Sequence, residues 1–194
     1  MKVKITEEEL IKRCLKADPL AQRYLYEKYA AKFLGICKRY FVNIHDAEDV
    51  LVMAFAKIFE KIKHYRGEGS FEGWMKRLLI NECLTTLRKK QILFVEADAH
   101  VQLADNTETA EQMLNTEDLL ACLQRLPDGY RTVFNLYAIE GYSHQEIANM
   151  LNISEGTSKS QLSRARNLLQ NYLKEMTKEA SFRLNEVSQW KNIK

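Results

Sequence analysis

Between Tyr142 and Leu169 the chain reads YSHQEIANMLNISEGTSKSQLSRARNLL, and the chemistry open to these residue types is recognition by hydrogen bonds and charge. On a helical repeat Leu162, Ala165 and Leu169 share one side, while Lys159, Ser160, Ser163, Arg164 and Asn167 look outward. Glu155 is the single acid between Ser154 and Gln170, whereas Lys159, Arg164 and Arg166 all lie there, a balance suited to meeting phosphate. Polar and cationic side chains on a helix are what read base edges in a DNA major groove.

Such side chains need a rigid mount. Ser143 followed by Glu146 has capping-box spacing, which predicts a first helix running to Leu151. Asn152 tolerates a left-handed turn, Ser154 can cap a second helix, and Ala148 is small where the two must cross. Two helices so joined make a helix-turn-helix, with the second helix offered to the groove. Plain helical bundles use the same pattern, so the wider chain has to decide.

That chain is 194 residues with 46% hydrophobic content, enough for real cores in one or two domains. Only two prolines and seven glycines, with runs of Lys, Glu, Leu, Ala and Gln, predict an all-α protein. No apolar stretch approaches the roughly 20 residues that span a bilayer, and the opening MKVKITEEEL lacks the apolar core of a signal peptide. A cytoplasmic location without membrane insertion is expected. Cys14, Cys37, Cys83 and Cys122 show no CxxC spacing and read as small buried thiols in a reducing compartment. Neither a metal nor a cofactor is expected.

The net charge is only +3, but it is unevenly placed. Residues 1 to 90 hold 19 Lys and Arg against 12 Asp and Glu, and residues 125 to 194 hold 10 against 7. Residues 91 to 124 contain no Lys or Arg and seven acids, Glu96, Asp98, Asp105, Glu108, Glu111, Glu117 and Asp118. That segment would be repelled by nucleic acid, and its middle loses helical periodicity, so 92–115 reads as an acidic linker between two basic helical domains.

In the first domain, a helix capped near Thr6 has Glu7, Glu8 and Glu9 at its positive end. After Asp18 and Pro19, a second helix runs to about Tyr40 with Leu25, Tyr29, Phe33 and Ile36 at core spacing. Asn43 to Asp46 punctuate the chain before a third helix, AEDVLVMAFAKIFEKIKHY, with Val50, Ala54, Phe55, Ile58, Phe59 and Ile62 inward. A loop at Gly67, Glu68, Gly69 and Ser70 leads to a fourth helix, about Phe71 to Lys90, that buries Trp74, Leu78, Leu79, Leu84 and Leu87.

Two constellations here can carry function. Lys57, Lys61, Lys63, Arg66, Lys76 and Arg77 stand beside Phe59, Tyr65, Phe71 and Trp74, a mixture that suits single-stranded DNA unless the rings are simply core. Asp46, Glu48 and Asp49 open the third helix, where they either cap it and compensate its dipole or form a protein-docking surface.

Residues 46–90 and 123–169 together resemble regions two and four of a bacterial extracytoplasmic-function sigma factor. The ordered landmarks are DAED, Phe55, FEGWM, Asn81, the Arg88-Lys89-Lys90 end, LPDGYR, IEGYSHQEIA and GTSKSQLSRAR. The resemblance implies sigma region 2 over 1–91, the linker 92–115, region 4 over 116–177 and a C-terminal extension over 178–194. Core RNA polymerase and promoter DNA, both duplex and single-stranded, would be the partners of a chain that is monomeric when free and has no catalytic residues. An anti-sigma protein is a further candidate partner.

By that resemblance, Asp46, Glu48, Asp49, Val50 and Leu51 dock on the clamp helices of the largest polymerase subunit. Arg66, Glu68, Phe71, Trp74, Lys76, Arg77, Asn81 and Arg88 hold the opened minus-ten strand, with Asn81 beside a flipped base. Arg131 leaves a helix started by Pro127 and points outward, and with Glu155, Lys159, Ser160, Ser163 and Arg164 it reads the minus-thirty-five element.

Val52 and Met53 stand where the family commonly has Gln and Glu, Ser158 where Val is frequent, and Gln161 where a basic residue is frequent. Ser158 on the inner side of the second helix is expected to loosen packing modestly. The extension carries Phe182, Leu184, Val187 and Trp190 in partial periodicity and reads either as an extra helix or as a contact for a regulator. A dimeric helix-turn-helix repressor competes with the sigma reading. A small DNA-processing or nucleotide enzyme fits poorly, because GxxxxGK and GxSxG are both missing from the sequence.

Overall fold

The computed structural model describes residues 6–90 and 116–191, with side chains described at 6–90 and 117–176. The chain divides into two compact units, Met1–Ile92 and Leu93–Lys194. The described residues are helical and contain no strand, and none of their helices is long and apolar enough to cross a membrane. The acidic segment 92–115 lies outside the described residues.

In the first unit, α1 spans Glu7–Leu15, and the Thr6 hydroxyl accepts from the Glu9 amide at 3.2 Å. Asp18 starts α2, Pro19–Tyr40, by accepting from the Leu20 amide at 2.9 Å, and it also pairs with Arg13 at 2.7 Å. Pro19 in the first turn costs nothing, because its missing N–H would have had no partner there. One stripe of α2 buries Ala21, Leu25, Tyr29, Phe33, Ile36, Cys37 and Tyr40.

Helix α3 spans Ile44–Lys61 and begins earlier than its sequence suggests, because Asn43 is the cap and accepts from the His45 amide at 2.9 Å. Asp46 therefore lies in the first turn, while Glu48 and Asp49 lie beyond it. A 3₁₀ turn, Ile62–His64, and an exposed loop lead to α4, Phe71–Lys89, capped by Ser70. Phe71, Met75 and Leu79 recur every fourth residue, with Ile80, Cys83, Leu84 and Leu87 continuing the buried face. Trp74 and Leu78 flank that stripe and are only half-buried, as is Phe59 on α3, contrary to the expectation of full burial. Helices α2, α3 and α4 pack mutually, and completely buried side chains such as Phe33 each contribute roughly 1.5 to 3 kcal/mol.

The second unit contains α5, Thr116–Gln124, and α6, Asp128–Phe134, which continues into a π-helical turn, Asn135–Ile139. Gly141, at φ 81°, turns the chain toward α7, His144–Leu151. Helix α8, Glu155–Lys191, follows Asn152 in the left-handed region at φ 56°. Leu123, Leu126, Tyr130 and Ala165 form one core cluster here, with Phe134, Leu168, Leu169 and Tyr172 packed against it, and Val133, Leu136, Ile147, Leu151 and Leu162 are buried as well. As far as Lys191 the C-terminal extension forms no separate helix but continues α8, whose 37 residues give a rod of about 55 Å.

Candidate nucleic-acid and polymerase interfaces

The helix-turn-helix is assembled from local hydrogen bonds. The Ser143 hydroxyl accepts from the Glu146 amide at 3.2 Å, and the Glu146 carboxylate accepts from the Ser143 amide at 2.8 Å, closing the capping box. Ser154 accepts from the Thr157 amide at 2.9 Å and so starts α8. Inside α8 lie Ser158, Leu162 and Ala165, while Glu155, Lys159, Ser160, Ser163 and Arg164 are exposed on the other flank. Asn167, expected outside, is half-buried.

This exposed flank is ordered by side-chain pairs. Lys159 and Glu155 form an ion pair at 2.6 Å, and hydrogen bonding from Lys159 holds the Glu155 carboxyl below the usual carboxylate range. The Arg164 guanidinium donates to the Tyr130 hydroxyl at 3.3 Å, which anchors the side chain to α6 while its charge stays in solvent. Tyr130 was not singled out from the sequence. Its ring is buried on α6, and only the fold brings its hydroxyl to α8.

Arg131 requires a correction, because it does not point outward. The residue is 2% exposed, and its side chain pairs with Asp128 and donates to the carbonyls of Leu126 at 2.9 Å and Gln124 at 3.3 Å. It caps the C-terminal end of α5, where a cation is favoured by the helix dipole. Burial lowers its affinity for the proton, opposed by the adjacent Asp128 carboxylate. Tyr130, Arg131, Thr132 and Val133 are all buried, so α6 has no outer flank at these positions.

In the first unit, the loop before α4 exposes Arg66, Gly67, Glu68, Gly69 and Ser70. Gly67 and Gly69 have φ of 78° and 83°, a region that side chains disfavour. Tyr65 closes the loop by donating its hydroxyl to the Gly69 carbonyl at 2.8 Å. Its ring lies 5.0 Å from Phe71 and 5.5 Å from Trp74. Phe71 is the floor of this aromatic group at 0% exposed, which corrects its assignment as a direct strand contact. The half-buried Trp74 remains accessible. Trp74, Arg77, Asn81 and Arg88 recur at helical spacing and share a flank of α4, whereas half-buried Lys76 falls on a different side of the helix. Lys57 pairs with the buried Glu82 carboxylate and so belongs to the α3–α4 contact.

At the start of α3, Asp46 pairs with Lys90 at 2.6 Å, and Glu48 lies 3.7 Å from His45. Asp49 is exposed. Val50 and Leu51 are 0% and 4% exposed and pack into the core, so their expected role as direct polymerase contacts is corrected. Val52 and Met53, at 59% and 40% exposure, provide the apolar surface beside Glu48 and Asp49. The expected buried thiols are all in the interior, where burial pushes Cys14, Cys83 and Cys122 up from the ordinary thiol range.

Residues 25–92 match the family model of sigma-70 region 2, and residues 116–169 that of sigma-70 region 4. The chain is 28% identical to an ECF RNA polymerase sigma-E factor of Haemophilus influenzae, over 88% of this chain and 97% of that protein. It is 29% identical to the ECF RNA polymerase sigma factor SigW of Bacillus subtilis, over 86% of this chain and 96% of that one. Its fold is similar to that of the sigma factor RpoE from Bartonella quintana, solved in complex with the anti-sigma factor NepR. The TM-score is 0.51 at 22% identity, covering 78% of this chain and 96% of the other. With both regions in order along one chain, and relatives of this branch matching over nearly their whole length, the chain belongs to the sigma-70 family as an extracytoplasmic-function sigma factor.

Proposed function

We propose that the two units divide transcription initiation between them. As an RNA polymerase sigma factor, the chain binds core polymerase, recognises the promoter and helps melt it. In our reading α8 enters the major groove of the minus-thirty-five element, with Lys159, Ser160, Ser163 and Arg164 meeting bases and phosphates and Glu155 orienting Lys159. The flank of α4 with Trp74, Arg77, Asn81 and Arg88, together with Arg66 and Glu68 of the loop, receives the opened minus-ten strand. Glu48, Asp49, Val52 and Met53 on α3 meet the polymerase clamp, with Asp46 tied to Lys90 behind them.

The observation that carries this reading is the shared flank of Trp74, Arg77, Asn81 and Arg88 beside a glycine-bent loop. Ring, cations and amide lie along one line, which suits a strand whose bases have left the stack. Catalysis stays with the polymerase, and this chain supplies binding energy and position in the cytoplasm. The Bartonella relative's complex makes an anti-sigma protein a candidate regulatory partner.

Run-off transcription with core polymerase and genomic fragments tests the reading. Defined start sites sharing two upstream elements are expected. Tight operator binding by a free dimer, with no stimulation of core polymerase, would replace it with the repressor reading.

A further inference from the structure

The inner side of the recognition helix holds a polar contact where apolar packing would ordinarily serve. Ser158, in the first turn of α8, is 0% exposed, and its hydroxyl lies 2.9 Å from Nδ1 of His144, the first residue of α7. A face of the ring is occupied as well: Tyr137, from the π-helical turn, stacks on His144 with centroids 4.5 Å apart and planes at 21°. The guanidinium of Arg166, further along α8, stands 5.7 Å from the Tyr137 centroid. His144 is thus held between the π turn and α8, and its hydrogen bond reaches the inner stripe that continues as Leu162 and Ala165.

Apolar contacts are non-directional and let a helix rotate or slide slightly at little cost. A hydrogen bond between a planar ring and a buried hydroxyl has a preferred distance and angle, and a buried partner left without it is penalised. Ser158 directly precedes Lys159 and Ser160, which are exposed on the other flank of the same turn. Any rotation of α8 at Ser158 therefore moves those side chains relative to the groove.

We propose that His144 is a positioning residue for promoter reading: through Ser158 it fixes the rotation of α8 on α7, and with it the register of Lys159 and Ser160 against the minus-thirty-five bases. This rests on the reading of α8 as the recognition helix. The bond and the ring stack contribute separately, and two substitutions divide them. His144→Asn loses the stack but puts an amide where Nδ1 stands, able to donate or accept whichever tautomer the histidine uses. His144→Phe keeps a ring against Tyr137 and removes the bond.

The test uses the full chain with core polymerase on a promoter selected by the parent, and on copies with single substitutions in the minus-thirty-five element. Run-off yield is measured beside a thermal melt. His144→Asn is expected to discriminate among the copies as the parent does. His144→Phe and Ser158→Ala should each lose about tenfold discrimination at the positions nearest the first turn of α8. Their double variant should lose no more than either alone, because both remove one interaction. Parent-like discrimination by His144→Phe, or an equal loss in His144→Asn, overturns the proposal. If His144→Phe fails to fold, Ser158→Ala removes the same bond by a smaller change and decides alone. Failure of the parent to select any upstream element with core polymerase would instead refute the function assigned above.

Discussion

The Arg131 guanidinium donates to the Leu126 carbonyl at 2.9 Å and to that of Gln124, the last residue of α5, at 3.3 Å, so a residue in the middle of α6 closes the end of the preceding helix. Arg131→Met keeps the bulk but leaves that carbonyl and Asp128 without their cation. A buried acceptor stripped of its donor costs about 1 to 3 kcal/mol. Arg131→Lys should recover little, since a point charge cannot reproduce the planar fork. Denaturant titration should show both losses, while promoter selectivity of the folded fraction stays unchanged. Arg164→Ala should do the opposite, weakening promoter binding with little change in stability.

The Asp18 carboxyl carries a pH-dependent contribution. Its pKa is lowered first by the hydrogen bond from Arg13, and further by the amides of Leu20 and Ala21. A folded-state pKa below the unfolded one stabilises the fold above the unfolded value, and the gain is lost as pH falls through the folded value. Asn is as good a helix cap as Asp, so Asp18→Asn removes the charge and keeps the cap. Melting temperatures of parent and variant should differ at neutral pH and converge well below the ordinary carboxylate value of about 3.9. A constant difference across that window would assign the contribution to shape instead of charge.

What was legible in the sequence was local. The Ser143 and Glu146 capping box, the left-handed Asn152, the Thr6 and Ser154 caps and the apolar stripe of α2 each depend on neighbours within a few positions. The misread features are those in which a distant partner decides. Arg131 is drawn inward by the carbonyls ending α5, Lys57 by Glu82, and Phe71 by the stripe of α4. Val50 and Leu51 were placed on a docking surface by resemblance, although the periodicity of α3 puts both on its buried side. Ser158, read as a packing defect, gains its partner from a different helix.

Strand capture separates from duplex reading by the state of the template. Asn81 is exposed on the flank shared with Trp74 and Arg77, so Asn81→Ala should leave the fold intact. It should slow open-complex formation on duplex promoters more than on templates already bubbled at the minus-ten element, because captured bases offset the cost of unpairing. Trp74→Ala should show the same pattern with a stability loss in addition, since its ring stacks on Phe71 at 5.7 Å. Permanganate reactivity of the opened thymines gives the rate. Equal opening by parent and Asn81→Ala on both templates would move the capture site away from α4.

Docking on polymerase makes different demands on the charged and apolar parts of α3. Glu48 and Asp49 lie beyond the first turn, so the helix dipole barely reaches them, and Glu48→Gln with Asp49→Asn should leave the melting temperature nearly unchanged. If these carboxylates meet basic side chains on the clamp, the pair should lose core affinity mainly at low salt, where charge steering is least screened. Val52 and Met53 are exposed, so Val52→Ser with Met53→Ser should also cost within about 0.5 kcal/mol of stability each. Apolar burial is insensitive to that screening, and the loss of core affinity in this second pair should persist as salt is raised. Core binding by both pairs at two salt concentrations distinguishes the contributions. A charge pair that binds like the parent at low salt would leave Val52 and Met53 as the contact, and loss in neither pair would place the polymerase surface on another helix.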